Sequence, residues 1–358
     1  MIKFKSHFHL HYFAIILILP FTLLSCNDSK ISPENSKNTM SEKIPVTILI
    51  HGGAGEIKPG FLTEEEELDY EMKLKEALNA GYLILENGGE ATEAVISAIK
   101  ILEDSPLFNA GRGSVLSHDG EVSMDASIMQ GKDLNAGAVS GIKHIKNPIL
   151  LAQLVMVKSD HVFLSGEGAE EFALENQLEQ EANDYFITHK RWLQLKSALG
   201  EDSIHIKSIE SKMIDKHGTV GCVAIDENGN LAAGTSTGGM VNKKYGRIGD
   251  SPIIGAGTFA DNTSCAVSAT GHGEYFIRLS IARNIADLIK YKGLSVSEAS
   301  KEVIQNQLAD LGGTGGIIAI DSKGNYCFEF NTPGMYRAVK TEGKEGQVFF
   351  YENTNEVR

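Results

Sequence analysis

The chain has 358 residues, 42% of them hydrophobic, enough for one large domain or two of average size and too many for wholesale disorder. Its formal net charge is −14, from 33 Lys and Arg against 47 Asp and Glu, and no long basic cluster appears, so nucleic acid is not expected as a partner.

The first 26 residues stand apart. Lys3 and Lys5 precede a short apolar run from Phe13 to Leu24, and Ser25-Cys26 follows. The run is too short to span a bilayer comfortably, so it reads as a secretory signal. Leu23-Leu24-Ser25-Cys26 resembles the bacterial lipoprotein signal, which implies lipidation of Cys26 and an exported, periplasmic, membrane-anchored protein. A plain cleaved signal with Cys26 incidental is the other reading. Residues 27–43 are polar and read as a flexible tether. Cys222, Cys265 and Cys327 remain, an odd number without a Cys-x-x-Cys pair. Neither a disulfide framework nor a zinc site is indicated, and buried free thiols are expected.

From Ile44 to Ile50 the chain is β-branched and reads as a strand, followed by the glycine run from Gly52. Thr63 with Glu66 forms a capping-box signature opening a helix to about Glu86, ended by Asn87-Gly88-Gly89. A second helix is expected from Ala91 to Glu103. Gly120 marks a turn between short strands, the second running from Val122 to Met129. Pro148 opens another helix to about Val157. Residues 176–215 are charged, helix-prone and poor in glycine.

Further on, Val220 to Ile225 and Leu231 to Thr237 read as strands joined by Glu227-Asn228-Gly229-Asn230, a hairpin signal. Helices are expected from Glu274 to Tyr291 and from Ser295 to Leu308. A second hairpin joins Gly316–Ile320 to Tyr326–Asn331. Strands and helices segregate into runs, which favours layered α+β.

Chemistry centres on Lys216-His217-Gly218-Thr219-Val220-Gly221. A threonine in mid-chain lacks a base, but at a chain N-terminus its own α-amine, with a pKa of about 8, can take the hydroxyl proton. A Gly-Thr bond at a strand start therefore suggests self-cleavage that uncovers Thr219, although a strand-opening threonine behind a glycine is the commoner meaning of two such residues.

The sequence around it decides between them. Ala233-Gly234-Thr235-Ser236-Thr237-Gly238-Gly239, Gly246-Arg247-Ile248-Gly249-Asp250-Ser251-Pro252 and Ser268-Ala269-Thr270-Gly271-His272-Gly273-Glu274 follow in order. Upstream lie Ile50-His51-Gly52-Gly53-Ala54-Gly55, Pro106-Leu107-Phe108-Asn109-Ala110-Gly111 and Gly166-Glu167-Gly168-Ala169-Glu170. Near the end come Leu311-Gly312-Gly313-Thr314-Gly315-Gly316 and Asn331-Thr332-Pro333-Gly334-Met335-Tyr336. This ordered set resembles the plant-type L-asparaginases, or isoaspartyl peptidases, of the N-terminal nucleophile hydrolases, over essentially everything from residue 44 onward.

The resemblance implies a four-layer αββα sandwich, one domain over 44–358, cleaved into 44–218 and 219–358 with residues 176–215 as an exposed linker. It implies Thr219 as nucleophile, Thr237 orienting it, and Thr270 with Gly271 as the oxyanion pair. Arg247 would take the substrate's α-carboxylate and Asp250 its α-amine, with Gly273 leaving room for the ligand. No cofactor is implied for catalysis. The loop Leu102 to Arg112 resembles the family's sodium loop, the carbonyls being those of Leu102, Glu103, Ser105, Phe108, Ala110 and Arg112; an ordinary helix-to-strand loop without an ion reads equally well from the sequence. Asn109, in that loop, could support the site near Thr219. The substrate class is β-aspartyl amides, as isoaspartyl dipeptides or L-asparagine, with glycosylasparagine as the alternative. The implied assembly is a dimer of cleaved αβ units, touching membrane only through its lipid.

Two readings from other classes compete. Gly234-Thr235-Ser236-Thr237-Gly238 satisfies G-x-S-x-G, with Asp250 and His272 in the chain order of an α/β-hydrolase esterase, but Met240 to Pro252 lacks the helical pattern an elbow needs. A non-catalytic lipoprotein that binds amino acids would leave the chain intact.

Overall fold

The computed structural model describes residues 44–200 and 218–351. Cys26, the lipoprotein-type signal over 1–26 and the tether 27–43 lie outside the described residues.

Among the described residues twelve strands form two sheets. In chain order they are β1 (Thr47–Gly55), β2 (Met124–Gln130), β3 (Ala136–Ile142), β4 (Phe163–Ser165), β5 (Val220–Ile225), β6 (Leu231–Thr237), β7 (Thr258–Ala260), β8 (Cys265–Gly271), β9 (Gly315–Asp321), β10 (Tyr326–Phe330), β11 (Gly334–Thr341) and β12 (Gln347–Tyr351). The larger sheet runs β12-β11-β1-β5-β6-β2-β3-β4 and the smaller β10-β9-β8-β7. Pairing is antiparallel except between β3 and β4. The mixed α and β architecture expected from the segregated pattern is present.

The strands at the centre of the larger sheet, β1, β5 and β6, are buried along nearly their whole length because both their faces are covered. Successive side chains point to opposite faces. Ile48, Ile50, Cys222 and Ala224 pack against the helices, whereas Leu49, Val223 and Ile225 face the smaller sheet and its Val267, Ile317 and Ile318. On the helical side lie α1 (Glu64–Glu86), α2 (Ala91–Glu103) and α3 (Pro148–Lys158); α4 (Gly166–Glu175) packs beside β3. Thr63 and Glu66 cap α1 reciprocally, as the sequence signature requires.

Two helices differ from expectation. The stretch from Glu274 to Tyr291 is broken at Ser280, a left-handed residue with φ 48°, into α6 (Gly273–Leu279) and α7 (Ile281–Lys292). After α8 (Val296–Lys301) the helix widens to a π-helix over Glu302–Leu308. Helices α7 and α8 pack on the smaller sheet.

The exposed-linker expectation for 176–215 fails in its first part. Residues Asn183–Phe186 form a 3₁₀ turn, and α5 (His189–Ala198) follows. Phe186 and Arg191 are buried. The loop at Gly113 bonds both: its N–H donates to the Phe186 carbonyl at 3.0 Å, and its carbonyl accepts from Arg191 Nε at 2.6 Å. The charged composition concealed these anchors.

Candidate active site

Strand register brings the first pair of site residues together. Val220 lies opposite Ser236 in the β5–β6 hairpin, so Thr219, one residue before β5, falls beside Thr237 at the end of β6. Thr219 Oγ1 is 3.1 Å from Thr237 Oγ1 and 2.7 Å from the Gly218 carbonyl oxygen, and Thr237 Oγ1 is 3.1 Å from that same oxygen. Asn109 Nδ2 donates to it as well, at 2.8 Å. Thr237 Oγ1 and Asn109 Nδ2 thus remain as donors to this carbonyl if Thr219 Oγ attacks its carbon, an arrangement that can stabilise charge developing on that oxygen.

Backbone close to this bond is tightly packed. Gly53, at φ 114°, passes so near that a Cβ there would lie 3.1 Å from Gly218 Cα and 3.3 Å from Thr219 N. Its positive φ and the close approach both call for glycine. Next to it, His51 Nδ1 contacts the Thr219 carbonyl at 3.0 Å. Burial pushes the His51 pKa down to about 3, against the opposing effect of that hydrogen bond, so the ring is neutral at working pH.

Thr219, Thr237, Arg247, Asp250 and Gly271 line one pocket, together with Gly218, Gly239, Met240, Gly249 and Ser251. Asp250 is buried, and its Oδ2 has no hydrogen-bond partner. Burial raises its pKa from 3.8 to about 7, with Arg247 pulling the other way. Arg247 is gripped by Glu274, Nε to Oε1 and Nη2 to Oε2, both at 2.9 Å. That pairing holds the Glu274 carboxyl at about 2. Gly273 lies under both charged groups: a Cβ there would be 2.8 Å from Arg247 Nη2 and 3.0 Å from Asp250 Oδ1. Thr270 Oγ1 is buried without a hydrogen-bond partner, next to the pocket-lining Gly271.

A pocket that combines a paired threonine hydroxyl, a guanidinium and a buried carboxylate suits hydrolysis of an amide carried by an amino acid. The comparisons agree. Residues 44–350 match the family model described as asparaginase. The chain belongs to the asparaginase family. It is 48% identical to the isoaspartyl peptidase of Salmonella typhimurium over 293 residues, which cover 81% of this chain and 94% of that protein. It is 42% identical to the probable isoaspartyl peptidase/L-asparaginase 2 of Arabidopsis thaliana over 325 residues, covering 85% and 98%. With the isoaspartyl peptidase/L-asparaginase of Rattus norvegicus it shares 43% over 302 residues, covering 84% and 88%.

In this asparaginase-family chain the esterase constellation does not assemble. Ser236 lies inside β6, fully buried, and its hydroxyl donates to Glu103 Oε1 at 2.6 Å. Strand continues to Thr237, so no elbow forms. His272 Nε2 lies 3.7 Å from Glu274 Oε2.

Sequence reasoning missed three supporting residues. Glu274 was visible only as part of a motif, and nothing local marks it as the partner of Arg247. His51 likewise stands out in the sequence only as part of the motif Ile50–Gly55. Lys243, 5% exposed, donates from Nζ to the carbonyls of Ser123 at 2.5 Å and Gly238 at 2.9 Å, fixing the turn after Thr237. Only the fold brings Ser123 to it.

The loop after α2 turns tightly, with main-chain oxygens close together. Leu102 and Glu103 end the helix, and the Leu102 carbonyl accepts from the Ser105 N–H at 3.3 Å. Gly113, at φ 112°, is so enclosed that a Cβ would sit 2.7 Å from both the Pro106 and Phe108 oxygens. Main-chain oxygens thus crowd the inside of the turn. The Glu103 carbonyl also accepts from Arg112 N–H at 2.7 Å, which leaves it a second lone pair.

Proposed function

We propose that this protein is a self-processing threonine hydrolase of β-aspartyl amide bonds, acting on isoaspartyl dipeptides and L-asparagine. The observation that carries the reading is the Thr219–Thr237 hydroxyl pair in one pocket with Arg247 and Asp250. Thr219 Oγ attacks the Gly218 carbonyl carbon, the Gly218–Thr219 C–N bond breaks as the hydroxyl proton passes to the departing Thr219 nitrogen, and water hydrolyses the resulting ester to leave a Gly218 carboxylate. Asn109 stabilises the oxygen that becomes charged, and the product is a free Thr219 α-amine.

That amine then takes the Thr219 hydroxyl proton during attack on substrate. Arg247 binds the α-carboxylate through its remaining N–H groups, and Asp250 receives the α-ammonium. Thr237 orients the nucleophile. Thr270 Oγ1 and the Gly271 N–H take the oxyanion. The amine departs with a proton, and water releases aspartate from the acyl-enzyme. The relatives' names, isoaspartyl peptidase and isoaspartyl peptidase/L-asparaginase, support this substrate class. Glycine before the nucleophile speaks against a glycosylasparaginase, a branch that usually carries aspartate there. Side-by-side assays of dipeptide cleavage, ammonia release and glycosamine release test the assignment. Faster release from glycosylasparagine than from β-aspartyl dipeptides would overturn it.

Packing of α1–α3 outside the larger sheet and α7–α8 outside the smaller supports a four-layer αββα sandwich over 44–358. The carbonyls of Leu102, Glu103, Ser105, Phe108, Ala110 and Arg112 would hold a sodium ion, whose charge would tie down the loop carrying Asn109. Exchange of sodium for choline then lowers the melting temperature by mass action, and an unchanged value contradicts the site. Cleaved αβ units pair into dimers, testable by sedimentation. Cys26 carries lipid and anchors the exported enzyme; fractionation of Cys26→Ala should find it soluble, and unchanged membrane association contradicts the anchor.

A further inference from the structure

Between the two sheets, where apolar packing is the rule, five polar side chains form a continuous chain. His51, Ser127, Thr235, Thr258 and Ser268 are each fully buried. Their proton directions follow from the ends. The Thr219 carbonyl only accepts, so His51 Nδ1 carries the proton and Nε2 is an acceptor. Ser268 Oγ, 3.0 Å from Nε2, therefore donates to it. The 2.7 Å contact between Ser268 and Thr235 then needs the Thr235 proton, which it takes in preference to the Gly257 carbonyl at 3.2 Å. Thr258 donates to Thr235 at 2.5 Å. Ser127 closes the chain, its one proton shared between Thr258 Oγ1 at 2.8 Å and the Ser251 carbonyl at 2.6 Å.

The chain thus begins on the carbonyl of Thr219 and ends on the residue next to Asp250. On the way it passes through β8 two residues before Thr270. We infer that this buried chain locks the nucleophile, the oxyanion strand and the substrate-binding turn into one geometry, making Ser127, Thr235, Thr258 and Ser268 positioning residues for hydrolysis. The inference rests on the proposed role of Thr219. An independent feature supports it: a Cβ on Gly221 would lie 2.0 Å from Ser268 Oγ and 2.2 Å from His51 Nε2. The central strand of the larger sheet gives up a side chain where the imidazole and hydroxyl meet.

Buried polar networks are costly when half satisfied, and apolar substitutes of similar shape can match their stability. The test therefore reads geometry through turnover. Processed wild type, Thr235→Val, Thr235→Ser, Ser127→Ala, Ser268→Ala and the double variant Ser127→Ala/Ser268→Ala are assayed on a β-aspartyl dipeptide. Thr235→Val should lose about tenfold to a hundredfold in kcat, as expected for slight misplacement, with a smaller change in KM. Thr235→Ser should recover most of that loss. Ser127 and Ser268 do not touch, yet the double variant should be no slower than the slower single one, because the chain acts as a unit. Full kcat in Thr235→Val, or multiplied losses in the double variant, overturns the inference. Nitrogen-15 NMR of wild type gives a readout that needs no variant to fold: His51 should be the neutral Nδ1–H tautomer, and an Nε2–H tautomer breaks the chain. Wild type inert toward β-aspartyl dipeptides would instead remove the proposed function, leaving the tautomer to judge the chain.

Discussion

Asn109 Nδ2 stands 2.8 Å from the Gly218 carbonyl oxygen and 2.8 Å from that of Gly239, while Asn109 Oδ1 accepts the Val115 N–H at 2.8 Å. The amide is held on both sides, so its donor stays aimed at the bond proposed to be cut. Asn109→Ala should slow self-cleavage by about 10²–10³-fold, the effect of losing one donor to a developing oxyanion. A gel time course after synthesis measures this. Cleavage at the wild-type rate would remove Asn109 from the mechanism.

Asp250 connects activity to pH and to stability. Its folded pKa of about 7 exceeds the ordinary 3.8 because burial disfavours the charge. Between those values the folded chain holds a proton that the unfolded chain has lost, so stability falls as pH rises from about 4 to about 7. Asp250→Asn should therefore stabilise the protein at pH 8, by at most about 4 kcal/mol at about 1.36 kcal/mol per pH unit. It should also abolish binding of the substrate ammonium. In wild type, kcat/KM should climb as pH rises through about 7, since the ionised carboxylate receives the ammonium. Thermal melting and pH–rate profiles check both directions; a kcat/KM that is flat from pH 6 to 8 contradicts the assignment.

Gly273 lies against Arg247 and Asp250, and its replacement should affect substrate binding without affecting self-cleavage. A methyl group there collides with Arg247 Nη2 and Asp250 Oδ1, not with the donors around Gly218. Gly273→Ala should raise KM and lower kcat/KM by about tenfold to a hundredfold, as for a displaced charged contact worth about 1.4–2.8 kcal/mol. It should still be processed. An unprocessed Gly273→Ala protein would show that the two activities share this wall.

Local chemistry explains what the sequence revealed. Thr63 and Glu66 announced α1, and the turn after Asp226 announced β5 and β6, hence the meeting of Thr219 and Thr237. Strand β3, Ala136–Ile142, escaped notice because small residues and two glycines give it little periodicity. The break at Ser280 depends on a left-handed serine, which no local signal requires. At the site, motif order exposed the residues that line the pocket. Their supports were not legible: Lys243 reaches Ser123, and His51 reaches Ser268, across long separations in the chain. The first contact exists only once β2 has paired with β6, the second only once the two sheets have packed.

Central to the account is that Thr219 becomes a chain terminus. Intact-mass analysis of the purified protein, with Thr219→Ala in parallel, tests this most directly. Wild type should resolve into two polypeptides, the second beginning Thr219-Val220-Gly221, and should hydrolyse β-aspartyl dipeptides. Thr219→Ala should stay whole and inert. A wild-type chain that is active while uncleaved, or a Thr219→Ala chain with full activity, would contradict the account.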